Sequence, residues 1–579
     1  MRTSTAAAIV IVATVAVYAA ALGAGFVGDD FMILHRLRAL GGPADAARFF
    51  RGEFFEYYRP LGFVAHAIDW SMAGASAWQF HLTNLLLHAS SAVLVLLIGQ
   101  ALAPRSAAGF VAALLFALHA SNHEAVVWIS ARFDLLATFF SLAAVWWMVR
   151  NGRGSLIGPA ALFLLAVLSK ESAVAMPIAA AGFAVFHLRG STADTIRRVA
   201  PWIVALAVYG MLRQLGGGVS AIGGASRLPK LAALASILAL LLLLADGRWL
   251  RLRDWLRPRR LAIGTLLAIG LAAAATAAAL GSRLAADKLA VAGFSLFHLG
   301  SPLTDVFAVP FYQQPGTVTY WLGGTIAAAL ALVLVLLAWR RLLDDDRLWF
   351  LGAFLAAALL PISALTEGAR YLYLPSAALC LAAGTFVSDL RGRARTAAMA
   401  TVAVVIALSA GQIVLKVRDW NWAGRLTADG ARLVDDSLAP ACGGHVIFLT
   451  APVGIRGVYT HFYYETFELR RGCMPETFQI LARVVRQDAT IEARWDGPST
   501  IVITAPRYRG NFVLAEDLRH FDLPLVDPGP RTIRTPLGEV RAERSGDTLR
   551  LTLALAPEAL AASPRIFYYS DGRIVALAK

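Results

Sequence analysis

The chain is poor in charge, and in acid above all: only 16% of its 579 residues are charged, and 38 Asp and Glu stand against 53 Lys and Arg. With 58% hydrophobic residues and a mean hydropathy of +0.62, a soluble globule of this size could not hide its apolar surface. A water-soluble fold is excluded, and lipid is the solvent for most of the chain. Cysteine is scarce too: Cys380 lies in an apolar run, and Cys442 and Cys473 fall in a polar tail, where they can pair only if that tail is outside the cytoplasm. No His-Glu-x-x-His spacing occurs, and the second half holds no copy of the first, which leaves out the repeat symmetry common among transporters.

What is present is a series of apolar stretches of spanning length. They recur near 5–26, 81–102, 107–127, 133–149, 156–168, 172–188, 198–215, 230–245, 261–281, 320–338, 348–365, 371–388 and 396–415. The pattern predicts a polytopic α-helical membrane protein with about 13 transmembrane helices, the first an uncleaved span rather than a signal peptide. If the N-terminus is cytoplasmic, alternate loops carry Arg105, Arg150, Arg153, Arg197, Arg198, Arg251, Arg257, Arg340, Arg347 and Arg393, while the opposite short loops hold far fewer cations. This positive-inside pattern accounts for the net charge of +15 without nucleic acid. The exception is the first outer loop, 28–80, whose Arg36, Arg38, Arg48, Arg51 and Arg59 call for an anionic partner.

From Lys416 onward the composition turns soluble. Alternating apolar residues in His445–Thr450, Thr500–Thr504 and Leu549–Leu555 predict strands, and Phe567–Leu577 predicts a hairpin closed by Asp571-Gly572. Helical patterning near 423–438 and 476–487 makes the tail a small C-terminal α/β soluble domain. The expected division is therefore 1–415 for the membrane part and 416–579 for the outer domain.

The residues that promise chemistry fall on one face under this topology. Asp29 and Asp30 follow the first span, where two adjacent carboxylates raise one another's pKa and suit general-base work; the alternative is a polar helix end. The aromatic and basic interleaving of Phe49, Phe50, Phe54, Phe55, Tyr57 and Tyr58 with Arg48, Arg51 and Arg59 suits an interfacial helix, with Arg59 the best placed for a phosphate. His81, Asn84 and His88 form a stripe on one helical face, which suits either interhelical hydrogen bonding or a ligand. His119, His123 and Glu124, followed by Trp128, Arg132 and Asp134, suit a polar cavity wall or, less simply, a divalent metal that the sequence does not require. Lys170-Glu171 is either a buried ion pair or a cation for a lipid phosphate, and Arg370-Tyr371 repeats the theme.

Gly28-Asp29-Asp30, Tyr58-Arg59-Pro60-Leu61, the His81–His88 stripe, His119–Glu124, Trp128–Asp134, Ser169-Lys170-Glu171 and Arg370–Pro375 together resemble the membrane part of the transmembrane and tetratricopeptide-repeat O-mannosyltransferase family. More broadly the chain resembles the GT-C glycosyltransferases. The resemblance covers roughly 1–415; the tail departs from it, showing no tetratricopeptide repeats. It implies a glycosyltransferase that uses a polyprenyl-phosphate-linked sugar on the non-cytoplasmic face, with Asp29 or Asp30 catalytic. Arg59, His81, Asn84, His123, Glu124, Arg132, Lys170, Glu171, Arg370 and Tyr371 are the candidate residues for donor phosphate and substrate. The Ala/Leu/Arg-rich composition points to a bacterial inner membrane with a periplasmic tail. The expected partners are the lipid-linked sugar, the bilayer and an acceptor protein, glycan or lipid. A flippase for a lipid-linked glycan is the competing function.

Overall fold

The computed structural model describes residues 2–40, 45, 47–51, 57–154, 156–216, 227–282, 285, 289, 299, 318–361, 368–438, 444–452, 458, 460, 476–484, 490–506, 512–514, 531–535 and 537–578. Cys442, Cys473, Phe54, Phe55 and most of the 282–319 loop lie outside them.

The N-terminal part is helical. Among the described residues, seven helices are long and apolar enough to cross a membrane: Thr3–Gly23, Ala77–Leu102, Ile129–Asn151, Thr192–Leu215, Arg248–Ala279, Ala369–Ser388 and Gly392–Ser437. Ala108–Ala117 and Ala120–Val127 make an eighth if they count as one span bent by 48°. The apolar runs at 156–168 and 172–188 appear as the shorter helices Ile157–Ser169 and Glu171–His187. In lipid, helices gain by close contact rather than by escaping water, so small residues sit at the crossings. A Cβ on Gly109 would lie 2.4 Å from the carbonyl oxygen of Leu96, and one on Gly384 2.5 Å from that of Ala108.

The last helix does not stop where the hydropathy falls. Gly392–Ser437 has no proline and continues unbroken for 46 residues, about 69 Å at 1.5 Å per residue. It crosses the expected boundary at 415/416 and enters the C-terminal domain. Its buried residues Ile413, Val417, Trp420, Gly424, Thr427, Ala431 and Val434 recur every three or four positions, so one stripe faces protein along much of its length.

The C-terminal domain holds two five-stranded sheets. The first contains β1 (His445–Pro452), β2 (Thr477–Val484), β5 (Phe512–Leu514), β9 (Arg565–Ser570) and β10 (Arg573–Ala576), in the order β10-β9-β1-β2-β5. Here β1 runs parallel to β2 and β9, and the outer pairs are antiparallel. The second sheet contains β3 (Glu492–Trp495), β4 (Thr500–Ala505), β6 (Arg531–Thr535), β7 (Gly538–Ser545) and β8 (Thr548–Leu555), all antiparallel in the order β3-β4-β8-β7-β6.

Val446, Phe448 and Phe567 of the first sheet pack on Ala431 and Val434 of the long helix, while Ile447, Leu449 and Leu481 meet Ile501, Ile503 and Leu551 of the second. The domain is thus a helix, a mixed sheet and an antiparallel sheet in layers. The hairpin forms as expected, with Asp571 at φ +46° and Gly572 at φ +81° joining β9 and β10. The segment 476–487, read as helical from its pattern, instead supplies β2. Over so short a run, Phe478, Leu481 and Ala482 fit a helical face as well as Phe478, Ile480 and Ala482 fit a strand face, so periodicity alone does not decide.

Candidate functional site

The chain leaves its first span through Gly28, whose φ of +51° is open to glycine and costly for other residues. The turn makes Asp29 the N-cap and Asp30 the first residue of the helix Asp30–Arg38, where the helix dipole favours a carboxylate. Their surroundings differ. Asp30 is buried, and its Oδ2 accepts from the Val27 backbone N–H at 3.0 Å. Its Oδ1 accepts from the Ser130 N–H at 2.9 Å and the Ser130 hydroxyl at 2.5 Å. Burial pushes the Asp30 carboxyl up to about 7; these donors pull it down, and Asp29 adds a smaller upward push. Asp29 stays half-buried at the helix mouth.

Ser130 belongs to a stretch, His119–Asp134, that meets charged groups from several other segments. Glu124 pairs with Arg370: one oxygen takes the guanidinium, and the other accepts from the Arg370 backbone N–H at 3.2 Å. The Arg370 guanidinium lies 4.7 Å from the Trp128 ring centre and 4.4 Å from that of Tyr371, and donates to the Tyr371 hydroxyl at 2.8 Å. Asp134 receives Lys170 Nζ on both oxygens, at 2.8 and 2.7 Å, and the same ammonium sits 4.6 Å from the Tyr371 ring centre.

Lys170 therefore pairs with Asp134, and its neighbour Glu171 pairs with Arg59 through a two-pronged contact. Lys170 has extended backbone (φ −161°, ψ 140°), so consecutive side chains leave on opposite sides and the two cannot pair with each other. Burial works to lower the Arg59 pKa, but Glu171 more than offsets it and holds the guanidinium charged. Arg59 also lies 4.7 Å from the Tyr57 ring centre and 5.4 Å from that of Phe133. Three cations from three distant segments, Arg59, Lys170 and Arg370, are thus each matched to a carboxylate, and Lys170 and Arg370 both lie against the Tyr371 ring. A matched cation costs less to hold near lipid than a bare one.

The other candidates make contacts within the helical framework. Arg132 is fully buried: Nε donates to Asn84 Oδ1 at 2.8 Å, Nη2 to the Phe80 carbonyl at 2.8 Å and Nη1 to that of Ala65 at 3.1 Å, with Asp69 Oδ2 2.6 Å away. Asn84 in turn donates to the carbonyls of Val126 and Trp128. His81 is buried on the same helix, and His88 lies 2.7 Å from the Tyr373 hydroxyl and 3.0 Å from the Ala117 carbonyl. Asn84 and His88 of the stripe therefore sew helices together.

His123 Nδ1 lies against the Ala120 carbonyl, and His119 faces Leu299 and Ser121. With Glu124 committed to Arg370, these side chains do not converge. Among the described residues no group of three or more His, Cys, Asp or Glu could hold a metal ion. In the first outer loop, Phe49 stacks on Phe63 and Tyr58 is buried beside Tyr209, so part of the aromatic run expected at the lipid interface is core.

Ser130 and Asp69 carry no role on sequence grounds. Asp69 had one visible sign, as the lone carboxylate of the apolar helix Pro60–Ala73. Ser130 had none.

No family model matches the chain. Among curated proteins it is similar to the protein O-mannosyl-transferase Tmtc1 of Drosophila melanogaster, 30% identical over 171 residues, which is 27% of this chain and 20% of that protein. It is 29% identical over 215 residues to Tmtc2 of the same fly, covering 34% and 23%, and 27% identical over 194 residues to human TMTC3, covering 31% and 21%. The matched stretches thus span about a quarter or less of these relatives.

Among solved structures, the Archaeoglobus fulgidus oligosaccharyltransferase tethered to an acceptor peptide aligns over 82% of this chain and 63% of its own, with 12% identity and a TM-score of 0.43. ArnT of Cupriavidus metallidurans, bound to undecaprenyl phosphate, aligns over 82% and 86%, with 13% identity and a TM-score of 0.36. The chain is thus similar to the TMTC O-mannosyltransferases over part of its length.

Proposed function

We propose that the chain is an integral-membrane GT-C glycosyltransferase that moves a sugar from a polyprenyl-phosphate donor to a hydroxyl of a protein, glycan or lipid. Asp29 takes the proton of the attacking hydroxyl as its oxygen bonds to the anomeric carbon. The bond from that carbon to the phosphate oxygen breaks, and polyprenyl phosphate leaves with the bonding electrons, inverting the centre. Arg59, Lys170 and Arg370 offset the charge that gathers on the departing phosphate. Asp30 holds the loop.

One observation supports this assignment: Arg370 and Lys170 converge on Tyr371, in a network that the Trp128–Ser130 turn joins to Asp30, the neighbour of Asp29 after the first span. The topology that goes with it has about thirteen spans, the active site and the 416–579 domain on the periplasmic face, and a bacterial inner membrane around it. The loop cations support that orientation.

The test is turnover in detergent, where no barrier exists to cross. Purified protein given a polyprenyl-phosphate sugar and a hydroxyl acceptor releases polyprenyl phosphate if it is a transferase. A flippase leaves the donor intact, and that outcome would remove the proposal.

A further inference from the structure

Among the described residues, the long helix Gly392–Ser437 packs both on the C-terminal sheets and on the segments carrying the candidate site. It touches Thr3–Tyr18, Ala19–Gly23, Ala120–Asn122 and His123–Val127 on one side and β10 on the other. Trp422 packs against the membrane core and against the core between the sheets, and Leu426, one turn on, is buried in the latter.

Three contacts tie this part of the helix to the site. The Asn421 side-chain amide donates to the Ala20 carbonyl at 3.0 Å. Gly424 meets Gly25 backbone to backbone: a Cβ on Gly424 would lie 2.5 Å from the Gly25 nitrogen and 2.8 Å from its Cα, with no flexible side chain to give way. Gly25 is four residues before Asp29. Buried Trp420 lies 6.1 Å, centre to centre, from Trp128, whose ring carries the Arg370 guanidinium at 4.7 Å.

We propose that Trp420 and Gly424 are positioning residues, through which the C-terminal domain sets both the Asp29 turn and the Trp128–Arg370 contact. This rests on those two ends being the reacting site. A helix without proline or other break transmits displacement along its length instead of absorbing it. A load on the sheets, such as a bound acceptor, therefore reaches the acid and the phosphate-facing cation together. The two receive it through separate contacts, so each can be disturbed alone.

The helix supplies its own control. A Cβ on Gly411 would meet nothing within 4 Å, so Gly411→Ala changes the same helix by the same methyl group without pressing on the site. The experiment is hydrogen–deuterium exchange on the full-length protein in detergent, following segments 24–35 and 119–132 in wild type, Gly424→Ala, Gly411→Ala, Trp420→Ala and Trp420→Phe. Gly424→Ala raises exchange in 24–35 about tenfold, Trp420→Ala does so in 119–132, and Gly411→Ala and Trp420→Phe match wild type.

If Gly424→Ala and Trp420→Ala also match wild type in both segments, the proposal is overturned. Should Gly424→Ala fail to fold, the comparison of Trp420→Ala with Trp420→Phe decides alone. Exchange does not depend on activity. A wild-type protein that ignores polyprenyl-phosphate sugar would contradict the proposed function and leave this result to stand or fall by itself.

Discussion

Ser130 donates twice to one oxygen of Asp30, from its backbone and from its hydroxyl, across a hundred residues of chain. The first outer helix is thereby fastened to the turn that also carries Trp128 and Arg132. The two neighbouring acids differ in their surroundings: Asp30 is buried among these donors and the Val27 N–H, while Asp29 sits half-buried at the helix mouth.

Removing the hydroxyl tests that fastening. Hydrogen bonds to an ionised or buried acid are worth about 1.5–3 kcal/mol, so Ser130→Ala lowers stability by about that amount, read from thermal unfolding in detergent. In Asp30→Asn, the same Ser130→Ala change costs less. Equal costs in both backgrounds would show that the two residues do not act together.

The Asp30 carboxyl, raised by burial to about 7, gives stability a pH dependence with a definite sign. Between the ordinary carboxylate range and 7, folded protein keeps a proton that unfolded protein has lost. The contribution is therefore full at the acid end, falls as pH rises through this window, and is flat above it. Melting of wild type from pH 4.5 to 8.5 shows this slope at Asp30, and Asp30→Asn lacks it. Identical slopes would place the titration elsewhere.

The pairing of Lys170 with Asp134, and of Arg59 with Glu171, predicts which second mutation rescues a first. Lys170→Met strands a buried carboxylate and costs about 3–5 kcal/mol. Asp134→Leu restores most of that loss, while Glu171→Gln does not. Unfolding of the single and double variants decides it, and rescue by Glu171→Gln instead would contradict the geometry.

Arg132 makes a similar prediction without a catalytic component. Its guanidinium serves Asp69, Asn84 and the Phe80 and Ala65 carbonyls, so Arg132→Met leaves several buried polar groups unmatched and costs about 3–5 kcal/mol. The loss shows as failed folding or a large drop in melting temperature. A stable Arg132→Met protein with impaired donor binding would return Arg132 to the phosphate site.

Much of this was legible in the sequence because it is periodic or locally encoded. Apolar runs of spanning length gave the helices their places, and Asp571-Gly572 closed its hairpin because few residue pairs accept two consecutive positive φ angles. Partner choice was not legible. Lys170 and Glu171 are neighbours in the chain, and only the extended backbone at Lys170 shows that they face apart. Asp134 is 36 residues from Lys170, and Glu171 is 112 from Arg59, with nothing local to match them. β2 was not legible because, over so short a run, its apolar residues fit a helical face as well as a strand face. Trp420 and Gly424 carried no sign in the sequence, since the partners they meet, Trp128 and Gly25, lie hundreds of positions away.

The central claim, that Asp29 is the base while Asp30 holds the loop, is tested most directly by single-turnover sugar transfer in detergent from a polyprenyl-phosphate donor. Asp29→Asn, folded and still binding the donor, should lose transfer by about 100-fold or more, the usual weight of a general base. Asp30→Asn should lose stability first and keep measurable turnover once folded. Undiminished transfer by Asp29→Asn would contradict the account.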